Sequence, residues 1–305
     1  MLLKVVIVGA GAMGCFLAAR LAGGGHDVTV VDVDQTRLDA IAHEGITLHD
    51  DTGTATARVR ACLAAEAHGP FDLVTLMTKG MFSAAAIHSV AHLAPHNPRV
   101  LTLQNGLGNV EAIAEVFHAD HILWGVTDFP ADLEGPAQVA SHGAGHISLG
   151  GANERAHSHA AAVAEALNRG ALNAAVDPEV RVAVWEKVAF NAALNALSTI
   201  TGLPVGGLDC PEGRRIAAAV AEETIATAAA HGVPVDPARV FARIDHALAN
   251  HRAHKPSMLQ DRLAGRRTEI ESINGAIVRM ADQAGVAAPT TRLLADLVRM
   301  GDPRG

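Results

Sequence analysis

The sequence of 305 residues contains no tyrosine, and aromatic side chains of all kinds make up only 3% of it. The absence of tyrosine excludes a proton relay built on a tyrosine and a lysine. Cysteine is also scarce, because Cys15, Cys62 and Cys210 are odd in number and widely separated. This usage excludes a disulfide framework and is typical of a reducing compartment, so we expect a cytoplasmic protein.

The chain also lacks a general excess of positive charge and any long apolar run. Its formal net charge is -8 at pH 7, which provides no broad basic surface for nucleic acid or an anionic membrane. Every apolar run is interrupted well before the roughly 20 residues that a membrane-spanning helix needs. The N-terminus enters an apolar strand pattern directly, without a charged leader and cleavage site. We therefore expect neither a nucleic-acid partner nor a membrane.

Histidine, in contrast, is abundant, with 17 residues in the chain. Three pairs lie close enough in sequence to be considered as metal ligands: His142/His146, His157/His159 and His251/His254. None of these pairs has thiolate or carboxylate neighbours in a recognised ligand spacing. We therefore predict no metal site.

The first half of the chain alternates short apolar runs with amphipathic stretches, which is typical of β-α-β units and a mostly parallel sheet. Strands are predicted at 3–9, 27–33, 71–77 and 99–105, and helices at 12–23, 36–43 and 81–92. Shorter strands with glycine turns follow at 121–127, 137–142 and 145–151, and we expect them to be antiparallel additions at the sheet edge.

The second half of the chain has a helical pattern at 179–200, 209–231, 236–250, 269–284 and 290–300. The change occurs near Asp177-Pro178, with no low-complexity linker and no internal repeat. We therefore predict two domains, an α/β domain at 1–176 and an all-α domain at 177–305.

A glycine-rich turn lies at the start of the chain, in VVIVGAGAMG (5–14). It has the G-x-G-x-x-G spacing after a predicted strand and before a predicted helix, the context of a dinucleotide-binding turn. The free amides and dipole of a helix N-terminus favour a bound phosphate there. Apart from a purely structural glycine turn, the pattern indicates a doubly wound Rossmann domain whose candidate cofactor residues are Gly9, Gly11, Ala12, Met13 and Gly14.

Asp32 follows the second predicted strand, 18 positions after Gly14. A carboxylate at this position accepts hydrogen bonds from the adenosine ribose hydroxyls and repels the 2′-phosphate of NADP, which favours NAD. Its alternative interpretation is a helix cap or turn residue, and Asp34 is a second candidate for that cap. Lys79 and Arg37 provide positive charge that would attract a phosphate, so both NAD and NADP remain open.

Three polar residues, Lys187, Asn191 and Asn195, are spaced four apart in EKVAFNAALN (186–195). At about 100° per residue, three side chains at this spacing point roughly the same way on a helix. Apolar residues border this stripe: Phe190, Leu194 and Leu197. The stripe is either a wet helix face or a functional surface, and the residues alone leave both open.

Three further polar residues have both local and functional interpretations. Asn105 directly follows a predicted strand, where it would position a ligand or begin a turn. Ser257 with Gln260, and Thr268 with Glu271, match the spacing of capping boxes, and Glu269 would then be an ordinary acid in the first turn of a helix.

Taken together, these stretches resemble the ketopantoate reductase (2-dehydropantoate 2-reductase) family. The resemblance runs through VVIVGAGAMG, LVTLMTKG, TLQNGLGN, GHISLGG, VWEKVAFNAALNALSTITG and KPSMLQDRLAGRRTEIESINGAIVR, in that order. It spans nearly the whole chain. The Lys-x3-Asn-x3-Asn helix combined with Ser-Met-Leu-Gln-Asp and Thr-Glu-Ile is its most specific part.

The resemblance implies an oxidoreductase that transfers a hydride between a nicotinamide cofactor and a 2-oxo acid. It implies Lys187 as general acid and Glu269 as its organising partner, with Asn105 between nicotinamide and substrate. The residues implied to hold the acid are Asn191, Asn195 and Ser257. Lys79 matches a cofactor-contacting lysine of the family, and a homodimer is expected by resemblance.

Two departures from the family pattern bear on the cofactor and the substrate. NADP-using members have a basic residue where this chain has Asp32, which favours NAD here. His254 stands where an asparagine is usual, and the segment 125–136 is unusual. The alternatives to a ketopantoate reductase are therefore an NAD-dependent D-2-hydroxy acid dehydrogenase and, in another class, a non-catalytic dinucleotide-binding sensor.

Overall fold

A computed structural model describes residues 1–303 of the chain. Its strands, in chain order, are β1 Lys4–Val8, β2 Asp27–Val31, β3 Ile46–Asp50, β4 Gly53–Ala57, β5 Arg60–Cys62, β6 Leu73–Leu76, β7 Arg99–Thr102, β8 Ile122–Thr127, β9 Asp132–Gly135, β10 Gln138–Ser141, β11 Ile147–Gly151 and β12 Ala174–Val176.

The α-helices alternate with the strands at first and then follow one another. They are α1 Ala12–Gly23, α2 Gln35–Glu44, α3 Ser83–Ser89, α4 Asn109–Ala114, α5 Glu154–His157, α6 Ala160–Arg169, α7 Val180–Thr201, α8 Pro211–Ala230, α9 Pro237–Asn250, α10 Ser257–Leu263, α11 Asn274–Ala284 and α12 Pro289–Gly301. No helix within residues 1–303 is both long enough and apolar enough to span a bilayer.

By its contacts the chain divides into two compact units, and the first consists of Met1–Gln104 and Asn109–Val180. Its main sheet has eight strands in the order β12-β11-β8-β7-β6-β1-β2-β5. The six strands from β8 to β5 are parallel neighbours in the order of a Rossmann sheet, with β1 and β6 at the point where the strand order reverses. At that point the carboxyl ends of the strands form a ligand-binding edge.

Both faces of the main sheet are covered, which explains why its central strands are apolar throughout. Side chains alternate along β1, so Val5 and Ile7 belong to one buried cluster together with residues of α1 and α6. Val6 and Val8 belong to the other, together with residues of α3 and α4. The predicted doubly wound domain is confirmed by this arrangement.

A second sheet of four strands, in the order β4-β3-β10-β9, was not predicted. Strands β3 and β4 form a hairpin that reverses at Asp51 and Thr52. The residues of β4 are exposed and of mixed polarity, so an alternation of apolar and polar residues is not evident from its sequence. The prediction that 137–142 extends the edge of the main sheet is wrong, because β10 pairs with β3 and β9 instead. At that edge, β11 is antiparallel to β8, whereas β8 itself is parallel to β7.

The second unit consists of Asn105–Gly108 and the helical chain from Arg181 onward. Helix α8 contacts α9, α11 and α12, and α11 contacts α12. The N-terminus of α12 is held by a side chain from α8: both carboxylate oxygens of Glu223 accept bonds from the backbone amides of Thr290 and Thr291, at 2.9 and 2.7 Å. The all-α character predicted for this part of the chain is confirmed.

Two predicted helices differ from the observed ones. The stretch 81–92 is broken into a 3-10 turn at Gly80–Phe82, the short α3 and a second 3-10 segment, Ala91–His96, that contains Pro95. Proline lacks the amide hydrogen that a continuing helix needs. The helix predicted at 269–284 begins only at Asn274, because the residues before it form a turn that is bonded to other parts of the unit.

Candidate active site

The three glycines after β1 differ in how closely other atoms of the protein surround them. Gly9 has a φ of +106°, and a Cβ there would lie 2.8 Å from the Thr78 nitrogen in the loop after β6. A Cβ on Gly14 would lie against the Gly9 carbonyl oxygen. A Cβ on Gly11, in contrast, would meet no atom within 4 Å in the described chain. Packing within the protein therefore requires Gly9 and Gly14 and leaves Gly11 unexplained.

The N-terminus of α1 directly follows these glycines and carries no side-chain cap. Gly11 is the N-cap residue, and the first turn contains no acidic side chain. The backbone amides of Ala12 and Met13, both half-buried, have no partner within the helix because they belong to its first turn. These amides and the helix dipole can hold an anionic group such as a pyrophosphate.

Asp32 connects the end of β2 to the glycine turn. Its carboxylate accepts hydrogen bonds from the backbone amides of Ala10 at 2.5 Å, Val33 at 2.8 Å and Asp34 at 3.0 Å. The cap of α2 is Asp34, which accepts from the Arg37 amide at 3.2 Å, so the cap interpretation of Asp32 is wrong. Oδ1 of Asp32 accepts two of these bonds, whereas Oδ2 accepts only that from Ala10 and retains a lone pair for a further donor.

Arg37 lies beside the same turn. Its guanidinium donates to the Ala10 carbonyl oxygen at 3.1 Å and approaches the Asp34 carboxylate at 3.4 Å. The positive charge considered for a cofactor phosphate is thus close to the glycine turn and partly paired with Asp34.

A polar network orders the loops that follow β6 and β7. The side-chain amide of Gln104 donates to the Thr78 carbonyl oxygen at 2.6 Å and to the Ser83 hydroxyl at 2.9 Å, and its oxygen accepts from the Thr102 hydroxyl at 2.8 Å. Lys79 follows Thr78 as the half-buried N-cap residue of the 3-10 turn Gly80–Phe82. Sequence reasoning missed Gln104, although its position directly after a buried strand was a usable signal.

Asn105 belongs by its contacts to the helical unit. The next residue, Gly106, has a φ of +89°, and a Cβ there would lie 2.2 Å from the Ser272 carbonyl oxygen. The same oxygen accepts a hydrogen bond from the Leu107 amide at 2.9 Å. The half-buried Asn105 is therefore held next to the turn that contains Ser272.

The polar stripe of α7 is largely enclosed. Asn191 is only 8% exposed and Asn195 only 5%, and Lys187 is half-buried. Neither side-chain amide makes a hydrogen bond to another residue within the described part of the chain. The interpretation of the stripe as a wet helix face is therefore wrong, since these amides are buried while their hydrogen-bonding capacity stays unused by the protein.

The capping-box interpretation of Ser257 is also wrong. The first helical bond of α10 runs from the Gln260 amide to the Pro256 carbonyl oxygen, so Ser257 already lies inside the helix. The Gln260 side chain donates instead to the Lys255 carbonyl oxygen at 3.0 Å. Ser257 is exposed, and its hydroxyl makes no hydrogen bond to another of the residues 1–303.

Glu269 lies in a turn and not in a helix, which corrects its interpretation as a first-turn acid. We call residues 269–273 the Glu269 turn; the carbonyl oxygen of Glu269 accepts from the amides of Ser272 and Ile273, both at 3.1 Å. The preceding Thr268 donates through its hydroxyl to Asp302 at 2.7 Å and does not cap a helix. Glu269 itself is half-buried.

An ion pair fixes the Glu269 turn to α12. Arg299 donates to both carboxylate oxygens of Glu271, at 2.6 and 3.0 Å, which replaces the predicted pairing of Glu271 with Thr268. The hydrogen bonds from Arg299, assisted by Arg279, hold the pKa of the Glu271 carboxyl below its usual value.

The two features that depart from the family pattern lie in different units. His254 is exposed in the helical unit, where its carbonyl oxygen accepts from the Val205 amide at 3.0 Å. The segment 125–136 lies in the sheet unit and packs the ring of Phe129 on Phe16 of α1, with 5.1 Å between ring centres. Its unusual sequence therefore has a packing role beside α1.

Both histidines of one of the three sequence pairs, His142/His146, contact carboxylates. His142 contacts Asp51 at 3.1 Å, and His146 contacts Asp128 at 2.8 Å. Within residues 1–303, no group of three or more histidine, cysteine, aspartate or glutamate side chains is arranged to hold a metal ion.

A Rossmann sheet with a glycine turn at its strand-order reversal defines a dinucleotide-binding protein, and the helical unit carries a largely enclosed stripe of one lysine and two asparagines. Comparison with known proteins specifies the family. Residues 5–154 match ketopantoate reductase PanE/ApbA, and residues 179–302 match its C-terminal domain. The chain belongs to the ketopantoate reductase family.

Individual relatives are similar over almost their full length. A 2-dehydropantoate 2-reductase of Halobacterium salinarum is 34% identical over 99% of this chain and 100% of its own. The solved structure of D-mandelate dehydrogenase with NADH and anilino(oxo)acetate is 29% identical, covers 98% of both chains and has a TM-score of 0.93. A 2-dehydropantoate 2-reductase from Geobacter metallireducens is 30% identical over 97% of this chain and 99% of its own, with a TM-score of 0.90.

Proposed function

We propose that this protein reduces a 2-oxo acid to the D-2-hydroxy acid with a nicotinamide dinucleotide as hydride donor. Membership of the ketopantoate reductase family supports this function. The similarity to a dehydrogenase whose structure holds NADH together with an oxo acid, anilino(oxo)acetate, supports both the cofactor and the substrate class.

The residues around the glycine turn fit such a cofactor. The open space at Gly11 and the uncapped amides of Ala12 and Met13 suit a pyrophosphate, and the remaining lone pair on Oδ2 of Asp32 suits a ribose hydroxyl. When bound, the reduced nicotinamide supplies the hydride that is added to C2 of the acid.

The observation that carries the proposal is the stripe of α7. Asn191 and Asn195 are two buried amides without a hydrogen bond to another residue in the described chain, on the same helix face as Lys187. Polar groups of largely buried residues normally have hydrogen-bond partners, and these two amides are available for bonds to a polar ligand. Together with the exposed Ser257 hydroxyl, they suit the carboxylate and hydroxyl groups of a substituted 2-oxo acid.

Lys187 is the proposed general acid. As the carbonyl carbon accepts hydride, the electron pair of the C=O π bond moves to oxygen, where an ammonium stabilises the developing charge and donates a proton. The product is the alcohol, and Lys187 is reprotonated from solvent. Glu269 is proposed to orient Lys187, and Asn105, held next to the Glu269 turn, is proposed to contact both substrate and nicotinamide.

NAD is the proposed cofactor, although the family resemblance also includes users of NADP. The carboxylate of Asp32 would repel a 2′-phosphate, and the nearby Arg37 is already bonded to Ala10 and Asp34. Lys79 is the residue that would favour NADPH.

A second candidate is an NAD-dependent D-2-hydroxy acid dehydrogenase that works mainly in the oxidative direction. The TM-score of 0.93 with D-mandelate dehydrogenase favours it specifically. The roles proposed for the side chains are unchanged, because the reverse reaction uses Lys187 as the base that removes the hydroxyl proton.

Initial rates test the proposal and separate the two candidates. Purified protein is assayed with NADH and NADPH against ketopantoate, phenylglyoxylate and a set of aliphatic 2-oxo acids, and with NAD against the D-hydroxy acids. We expect saturable NADH oxidation with at least one 2-oxo acid. Ketopantoate as the best substrate supports a pantoate-forming reductase, another acid supports the second candidate, and no turnover over the whole panel contradicts both.

The compartment and the assembly are proposed on simpler grounds. All three cysteines are free, as is typical of a reducing compartment, which supports a cytoplasmic location. A homodimer is proposed from the family resemblance, and sedimentation of the purified protein tests it.

A further inference from the structure

Asn274 is a completely buried side chain that the proposed chemistry does not use. It is the first residue of α11 and directly follows the Glu269 turn. Its side-chain nitrogen donates to the carbonyl oxygen of Ala192 at 3.1 Å, and its side-chain oxygen is enclosed without a partner among residues 1–303. The Ala192 carbonyl can only accept a hydrogen bond, which fixes the orientation of the amide.

The hydrogen bond joins the Glu269 turn to the stripe of α7. Ala192 directly follows Asn191 in α7, so the bond holds that helix at the stripe. Two residues before Asn274, the Ser272 carbonyl oxygen accepts from Leu107 and lies against Gly106, next to Asn105. Residues 272–274, at the end of the Glu269 turn, therefore connect this turn both to the stripe of α7 and to Gly106 and Leu107, next to Asn105.

Stability alone does not account for an asparagine at this position. A buried polar atom without a hydrogen bond destabilises the fold, and the Asn274 oxygen is such an atom. A leucine has the same number and branching of side-chain heavy atoms and would leave no polar atom unpaired, but it would also remove the bond to Ala192. Only the amide provides the hydrogen bond that connects α7 to the Glu269 turn, and both of these segments carry proposed site residues.

We propose that Asn274 is a positioning residue that sets the distance of Asn191 and Lys187 on α7 from Glu269 and Asn105. This inference rests on the proposed function for its kinetic consequence. Asn274 does not contact substrate in this account; it acts through the backbone of Ala192. Displacements of about 1 Å at a reacting group reduce rates by up to about a hundredfold, so losing this bond affects turnover more than folding.

The test compares two variants of Asn274 with a control in the same unit. Asn274→Leu removes both polar atoms, and Asn274→Asp keeps the shape but places a carboxylate oxygen against the Ala192 carbonyl. The control is Thr291→Val, because Thr291 is also completely buried and loses one side-chain hydrogen bond, that to Glu223 at 2.7 Å. Thermal unfolding of each variant provides the comparison of stability.

The kinetic readout separates positioning from general destabilisation. With the best 2-oxo acid, we expect both Asn274 variants to lower kcat at least about tenfold and to raise the KM of the acid, with the KM of the nucleotide unchanged. Thr291→Val should keep all three constants at a comparable loss of thermal stability. Unchanged kcat in both Asn274 variants, or an equal loss of kcat in Thr291→Val, overturns the proposal.

Amide hydrogen exchange provides a readout that does not depend on turnover. Peptides that cover 187–197 and 269–273 should exchange faster in Asn274→Leu than in the wild type and in Thr291→Val. If the wild-type protein reduces no 2-oxo acid, the proposed function fails, but hydrogen exchange still tests whether Asn274 connects α7 to the Glu269 turn. Faster exchange in both segments supports this connection, and unchanged exchange overturns it.

Discussion

At the scale of single residues, the glycine turn shows how one motif contains positions with different tasks. Gly9 and Gly14 are required by atoms of the protein itself, whereas Gly11 is next to open space. The first two therefore belong to the fold, and Gly11 belongs to the proposed cofactor. Sequence spacing alone cannot separate them, because the distinction depends on what a side chain would meet.

Gly11→Ala should weaken nucleotide binding without weakening the fold. The added methyl group meets no atom within 4 Å among the described residues, and the backbone at Gly11 is extended, with φ -68° and ψ -174°, which alanine adopts freely. We expect the dissociation constant for NADH, measured by fluorescence titration, to rise at least about tenfold with nearly unchanged thermal stability.

Gly23→Ala is the matched control at the other end of α1, where a Cβ also meets nothing within 4 Å in the described chain. It should leave NADH binding unchanged and slightly increase stability, because alanine is a better helix former than glycine. Equal NADH affinity in Gly11→Ala and the wild type would contradict the assignment of Gly11 to the cofactor.

At the scale of elements, side chains from distant helices determine where helices begin. Sequence reasoning predicted α1, α2 and α7 well, since their periodicity is local and α2 has a local cap in Asp34. It failed for α11, because the Glu269 turn is held by partners elsewhere: Arg299 for Glu271 and Asp302 for Thr268. Local spacing cannot reveal bonds between residues so far apart in the chain.

The same limit applies to the candidate site. The stripe of α7 was visible as a spacing of four, and the glycine turn as a motif. Asn274 and Gln104 were missed, because the partner of Asn274 lies 82 residues away and Gln104 bonds to a loop after another strand. The burial of Asn191 and Asn195 is likewise a result of packing. The sequence alone could therefore not decide whether these side chains are exposed to water or buried.

Glu223→Ala tests the account of α12 at this scale. The substitution leaves the amides of Thr290 and Thr291 without their acceptor at the helix N-terminus. We expect the free energy of unfolding in urea to fall by about 1–2 kcal/mol, as for other lost helix caps. The neighbouring Glu222 is exposed, and Glu222→Ala should cost much less; equal losses in both variants would show that Glu223 is not a cap.

At the scale of the whole molecule, stability should depend on the protonation of one buried histidine. Nδ1 of His26 accepts from the Leu3 amide, and Nε2 donates to the Ala166 carbonyl oxygen, both at 3.0 Å. The bond from Leu3 requires an unprotonated Nδ1 and therefore the neutral ring, whereas Nε2 can donate to Ala166 in either protonation state. Burial lowers the pKa of His26 below its usual value of 6.5, with the positive charges of Arg169 and the N-terminus as smaller causes.

The lowered pKa of His26 determines how the free energy of unfolding changes with pH. A pKa lowered in the folded state stabilises the protein fully above 6.5, and the contribution disappears as pH falls through the lower folded value. We therefore expect the free energy of unfolding in urea to decrease from about pH 7.5 to about pH 5. His159, whose pKa burial also lowers, contributes in the same direction.

Two histidine variants isolate the contribution of His26. His26→Gln should be less stable than the wild type near neutral pH and should show a weaker decrease toward acid. His43→Gln replaces an exposed histidine and should keep the slope of the wild type. An unchanged slope in His26→Gln would refute the role of His26.

Turnover of Lys187→Ala with NADH and the best acid tests whether Lys187 donates the proton in 2-oxo acid reduction. We expect a loss in kcat of about 10²–10⁴-fold, with the NADH dissociation constant and the circular dichroism spectrum unchanged. Turnover within about twofold of the wild type in a folded variant would contradict the mechanism.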